Sequence, residues 1–187
     1  MDLVFFGIQG SGKGTQAKKL ALECGYDIFE AGGELRKIAA SGSELGTLVK
    51  SFIDVGKLAP HDIVMRVVRE AVLARPKAQK ILFDGIPRDS DQMRDFDKIM
   101  HESGRDFRCI HITLPKERAL QRILDRAKLE CRADDTDEEI IVRRMNTFLT
   151  KTVPVIDTYR SGGKVVDIEG DRTVEQVYDE LKRLVLC

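Results

Sequence analysis

The chain has no tryptophan, and its four cysteines and three histidines are scattered along it. Cys24, Cys109, Cys131 and Cys187 form no C-x-x-C pair, so neighbours in sequence cannot build a zinc knuckle or a dithiol redox site, and all four read as free thiols. His61, His101 and His111 are equally dispersed, which removes the raw material for a metal cluster or a nucleophile–base pair. No apolar run approaches the ~20 residues that a membrane-spanning helix needs. An excess of one charge is also missing. The 31 Lys and Arg balance 31 Asp and Glu, so no global field draws in nucleic acid or an anionic membrane, and any anion binding must be local. The first residues enter Leu3-Val4-Phe5-Phe6 directly, without a basic leader or a small-residue cleavage site, and the expectation is a cytoplasmic protein.

What remains is a chain of 187 residues, 42% hydrophobic, long enough for one substantial core and too short for two large independent domains. Short apolar runs alternate with stretches of helical period. Leu3 to Gly7, Tyr26 to Phe29, Lys80 to Phe83, Arg108 to Thr113 and Lys164 to Ile168 are the expected strands. Strand and helix in series imply a parallel sheet covered on both faces, a doubly wound α/β layout. Two stretches break the alternation: an all-helical insertion from about Glu30 to Ala59, and a polar, charge-dense connection from about Ala127 to Asp137.

Ligands of such sheets bind beyond the carboxyl ends of the strands. After the first expected strand comes Gly7-Ile8-Gln9-Gly10-Ser11-Gly12-Lys13-Gly14-Thr15-Gln16, followed by the helical pattern Ala17, Leu20, Ala21, Cys24. Glycines let consecutive backbone N–H groups turn toward one centre, the helix N-terminus adds its partial positive charge, and Lys13 supplies a mobile cation for β- and γ-phosphates. A flexible glycine-rich turn would explain the glycines alone. It would not explain a lysine at that offset between a strand and a helix.

The third expected strand ends in Asp84-Gly85-Ile86-Pro87-Arg88-Asp89-Ser90-Asp91-Gln92. Asp84 can hold Mg²⁺ through water, Arg88 can fork two N–H groups onto a phosphate, and Gln92 offers a paired donor and acceptor. A capped turn before a helix would account for Pro87 and Asp89 but not for the rest. Arg122 and Arg126 lie four apart in an expected helix from Lys116 to Ala127, on a face away from Leu120, Ile123 and Leu124.

With G-x-x-G-x-G-K-G-T-Q and D-G-I-P-R-x-x-x-Q in place, the chain resembles the adenylate kinase family of nucleoside monophosphate kinases, in its short-lid form, from Phe6 to Tyr178. That resemblance implies a P-loop kinase core with a five-stranded parallel sheet flanked by helices, over 1–29, 60–126 and 138–187. A monophosphate-binding insertion is expected over 30–59 and a short lid over 127–137. It implies transfer of the γ-phosphoryl group of ATP to AMP, with Mg²⁺ accompanying ATP, no zinc, no nucleic-acid or membrane partner, and a monomer.

The resemblance assigns Gly10, Ser11, Gly12, Lys13, Gly14, Thr15 and Arg122 to the donor nucleotide, and Lys13, Arg88, Arg126, Arg132 and Arg144 to the transferring phosphoryl group. The acceptor falls to Ala31, Gly32, Arg36, Lys57, Leu58, Ala59, Gly85, Arg88 and Gln92. Helical phase downstream favours Arg144 over Arg143 as the second lid arginine. Three departures stand out: Gln9 where the family usually has Pro, Ala31 where adenylate kinases mostly have Thr, and Gly33 where an Asp or Glu is normal. Glu34 is a poor substitute for that acid, because one residue along a helix turns a side chain by ~100°. Ala31 suggests a UMP/CMP kinase as the alternative, opposed by Gln92; Gly33 is the only support for a binding module without turnover.

Overall fold

Each expected apolar run forms a strand, displaced by about a residue from its expected bounds: β1 (Asp2–Phe6), β2 (Asp27–Glu30), β3 (Ile81–Asp84), β4 (Phe107–Thr113) and β5 (Val165–Glu169). The computed structural model describes residues 1–130 and 137–186. All pairings are parallel, in the order β2-β3-β1-β4-β5, with Phe5 of β1 level with Asp84 of β3 and with Ile110 of β4. β1 is therefore central, and it is buried along its whole length.

Because side chains alternate along a strand, β1 feeds two cores. Leu3 and Phe5 join Leu20 of α1 (Lys13–Cys24) and Val177 and Leu181 of α9 (Val174–Leu186). Val4 and Phe6 join Val68 of α4 (His61–Leu73), Phe96 of α5 (Ser90–Glu102) and Ile156 of α8 (Val153–Ser161). Full burial of such a side chain is worth ~1.5–3 kcal/mol, so either a polar substitution in β1 or a slipped register would be felt on both faces. Phe83 meets Phe96 edge-on at 5.0 Å, and Phe96 meets Phe107 at 5.2 Å, so α5 is held against β3 and β4 by aromatic contacts.

The edge of the sheet away from the carboxyl ends is closed by a buried ion pair. Arg105 donates to Asp2 at 3.1 Å and to the carbonyls of Arg75, Pro76 and Gln79, while Asp2 also accepts the N–H of Ile81. Both charges are thus satisfied, as burial demands.

The insertion after β2 consists of α2 (Ala31–Ala39) and α3 (Glu44–Ile53), the latter capped by Ser43, whose hydroxyl accepts the N–H of Gly46 at 3.0 Å. Beyond β4 come α6 (Lys116–Glu130), α7 (Glu138–Thr147) and a π-helical turn, Phe148–Thr152, leading into α8. The sequence expectation ended α6 at Ala127. The helix runs three residues further because Lys128-Leu129-Glu130 are good helix formers with no glycine or proline to stop them. Among the described residues no helix is long and apolar enough to cross a membrane.

Candidate active site

At the carboxyl end of β1 the backbone turns through glycines that no other residue could replace without strain. Gly10 has φ of 84°, and a Cβ there would lie 2.6 Å from the carbonyl oxygen of Ala119 in α6. Gly12, with φ of 95°, opens α1 without a side-chain cap, and the first turn of α1 carries no acidic residue. The helix N-terminus thus keeps its N–H groups for an external anion. Ser11 is buried, and its hydroxyl has no partner among the described residues. The Lys13 ammonium donates to the carbonyls of Gly7 at 2.6 Å and Ile8 at 3.2 Å, folded over the loop it belongs to. Beside this loop the Arg122 guanidinium donates to the carbonyl of Gly170 at 3.0 Å and reaches Asp171 at 3.4 Å. Gly170 in turn sits so close that a Cβ would be 3.2 Å from the Ser11 carbonyl oxygen.

One strand over, Asp84 ends β3. Burial pushes its carboxyl above the usual carboxylate range and the charge of Glu30 pushes the same way, while Lys13 and Arg88 pull it back. The segment that follows is a turn bonded to itself. Arg88 Nε donates to the Gly85 carbonyl at 2.8 Å, the Arg88 N–H donates to Gln92 Oε1 at 2.8 Å, and Asp89 caps α5 by accepting the Gln92 N–H at 2.9 Å. Thr152 in the π-helical turn donates to the Arg88 carbonyl at 2.8 Å. Burial lowers the Arg88 guanidinium's affinity for its proton, and the neighbouring Arg144 adds to the effect. Positive charges crowded together in this way are what a bound phosphate would relieve.

Arg88 and Arg144 share the wall of a cavity of about 360 Å³ with Arg36 and Lys57. Its other walls include Ala31, Gly32, Leu58, Ala59, Gly85 and Gln92, so every position that the resemblance gave to the acceptor lines this one space. Leu35, Ile53 and Val64 supply an apolar side. The volume and the mixture of apolar wall with a few convergent polar groups suit a small ligand with an anionic end. Lys13 and Arg122 lie outside this cavity, on the phosphate loop. The side chain of Arg126, in α6, and Arg132 lie outside the described residues. Among the described residues no group of three or more His, Cys, Asp or Glu is placed to hold a metal ion.

Two further residues shape the site without having been assigned to it from the sequence. Arg143 donates to the Val55 carbonyl at 2.6 Å, while a Cβ on Gly56 would lie 3.2 Å from Arg144 Cγ, so adjacent arginines on α7 serve different partners. Glu30, the last residue of β2, bends back over Gly33 and accepts from Arg36 at 2.7 Å. Glu34 faces Lys37 at 2.8 Å instead and is not a wall of the cavity. The signal for Glu30 was available: a carboxylate close to two glycines and six residues before an arginine expected to grip phosphate.

A phosphate loop at the end of the central strand of a parallel sheet, with an arginine-lined cavity beside it, defines the class of P-loop nucleotide kinases. Comparison with known proteins narrows the class. The family model for adenylate kinase matches residues 5–164. An adenylate kinase of Thermus thermophilus is 35% identical over 181 residues, 96% of this chain and 94% of the relative. Those of Parabacteroides distasonis and Bacteroides fragilis are 32% and 31% identical over 186 residues, 99% of this chain and 97% and 98% of theirs. The chain belongs to the adenylate kinase family, and it is a phosphotransferase.

Proposed function

We propose that this enzyme transfers the γ-phosphoryl group of ATP to AMP, yielding two ADP, with ATP on the phosphate loop and AMP in the arginine-lined cavity. The observation that carries the reading is the convergence of Arg36, Arg88, Arg144 and Gln92 on one cavity, with Asp84 linking it electrostatically to Lys13. The acceptor's phosphate oxygen is ionised at neutral pH, so no general base is required. The work left to the protein is to hold two phosphates in line, exclude water and meet the spread negative charge with preorganised donors.

In this reading the glycine turn and the N-terminus of α1 bind the ATP phosphates through Gly10, Ser11, Gly12, Gly14 and Thr15. Lys13 leaves its loop carbonyls for the phosphates, and Arg122 flanks the donor. Arg36 and Arg88 hold the acceptor phosphate, while Arg144, with Arg126 and Arg132, stabilises the group in flight. Magnesium enters with ATP. Asp84 fits it, because a part-buried carboxyl whose charged form burial penalises gains from an added cation, and it would act through water. When bound there, the ion would help to neutralise charge on the phosphates. The enzyme acts in the cytoplasm, as a monomer.

For the base, Gln92 is almost fully buried and its oxygen already accepts the Arg88 N–H, which fixes the amide's orientation. Its second lone pair and its NH₂ remain suited to an adenine edge. The name carried by the relatives favours AMP over the pyrimidine alternative raised by Ala31. The test is kcat/KM for AMP, CMP and UMP at saturating Mg·ATP, on the wild type and on Gln92→Ala. AMP should be fastest, and by analogy with paired amide contacts to adenine worth ~1–3 kcal/mol, the variant should lose roughly five- to a hundredfold with AMP and much less with CMP and UMP. Faster turnover of CMP or UMP by the wild type would replace this reading with the pyrimidine one.

A further inference from the structure

Within the acceptor cavity, Arg36 is a cation whose side-chain partner among the described residues is a single carboxylate. It lies on a two-turn helix at the rim, with its side chain about half exposed, and it forms an ion pair with Glu30 at 2.7 Å. Glu30 itself is not a cavity wall, whereas Arg36 is. The guanidinium thus lines the cavity while the carboxylate that holds it does not. Glycine at residue 33 leaves the carboxylate its room: a Cβ there would lie 3.3 Å from Glu30 Oε2 and 3.4 Å from Glu30 Cδ, tight enough to press the carboxylate away by a few tenths of an ångström. The base of Glu30 is also fixed, since it pairs with Asp84 across β2 and β3.

We infer that Glu30 is a positioning residue that buttresses Arg36 toward the acceptor's phosphate, and that the glycine at 33 is the space this buttress occupies. The inference rests on the reading of the cavity as the monophosphate site. It makes the acid at 30 and the glycine at 33 a matched pair. An acid at 33 would sit three residues before Arg36 on the same helix, where it could pair with the arginine directly, in competition with Glu30.

The test is a double-mutant cycle of Glu30→Ser, Gly33→Asp and both together, with Glu30→Gln beside it, read as kcat and KM for AMP, CMP, UMP and ATP. Glu30 is the N-cap residue of α2 without a side-chain cap bond, so serine there supports rather than breaks the helix, and thermal melting checks that each variant folds. Loss of a half-exposed pair should raise the KM of every monophosphate by about three- to fivefold in Glu30→Ser, with kcat within about twofold and the KM of ATP unchanged. Glu30→Gln, which keeps an acceptor oxygen without the charge, should fall between that variant and the wild type. Gly33→Asp alone should also raise these KM values, because it displaces the carboxylate it crowds, and the double variant should return to within about twofold of the wild type. A KM unchanged in Glu30→Ser, a KM below wild type in Glu30→Gln, or additive losses in the double variant would overturn the inference while leaving the acceptor site in place. A wild type that turns over no monophosphate would overturn both.

Discussion

The two halves of the site are built from different materials. The phosphate loop is one contiguous segment that offers mostly backbone N–H groups, held by positive φ angles and by close approach to α6 and Gly170. The acceptor cavity is made of side chains from four separate segments, around Ala31, Lys57, Arg88 and Arg144. A backbone cradle can be broken by adding a single carbon but offers little to adjust. A cavity of long side chains tolerates substitution at its edges and can be retuned, which the proposed pairing of Glu30 with Gly33 would exemplify.

The largest effect is expected on the phosphate loop, at its one charged side chain. Lys13→Ala should lower kcat/KM at least about a hundredfold, since removing a preorganised charge from a transferring phosphoryl group costs ~2.7 kcal/mol or more, while the fold survives. Near-normal turnover in a folded variant would show that the glycine turn alone suffices. Gly10→Ala sharpens the same comparison from the backbone side. Holding a non-glycine residue at that φ costs of order 1–3 kcal/mol, and its Cβ would overlap the Ala119 carbonyl, so both melting temperature and the stabilisation conferred by ATP should fall. An unperturbed Gly10→Ala protein would contradict the idea of a rigid cradle.

On the acceptor side, Glu34→Ala should change kcat by less than about threefold, under ~0.7 kcal/mol, because Glu34 pairs with Lys37 outside the cavity. A large loss would mean that α2 shifts when the acceptor binds and brings Glu34 inward.

The smallest effect concerns pH. Burial lowers the His111 pKa below its ordinary value of 6.5 even though Asp167 accepts from it at 2.7 Å, and Arg160 holds Asp167 below the usual carboxylate range. Both groups are depressed in the folded state. The stability due to His111 is therefore complete above pH 6.5 and is lost as pH falls through its lowered native value, with Asp167 following in more acid solution. His111→Asn should flatten the decline of melting temperature between about pH 7 and pH 5. An unchanged slope would assign that decline to other groups.

Much of the molecule is legible in its residues alone. Apolar runs located all five strands, because strands covered by helices bury most of their side chains. The charge in the middle of β5, Asp167, is tolerated because that strand lies at the sheet edge, where Arg160 and His111 pair with it. The phosphate loop is legible because its geometry is local: glycine at positive φ, lysine and helix start all lie within ten residues. The end of α6 is not, since a charged, proline-free stretch reads as connection when only its polarity is weighed.

On the acceptor side the sequence named the residues, and tertiary structure decided how their long side chains are partnered. That Arg144 turns into the cavity while Arg143 reaches the Val55 carbonyl depends on how α7 lies on the turn after α3, which no count along a loop can give. That Glu30 rather than Glu34 meets Arg36 depends on a strand end pointing back over a helix through the space left by Gly33. Composition and period constrain where the backbone goes because burial and φ are properties of each residue and its neighbours. Where a long charged side chain points is set by what packs around it, and those neighbours arrive from elsewhere in the chain.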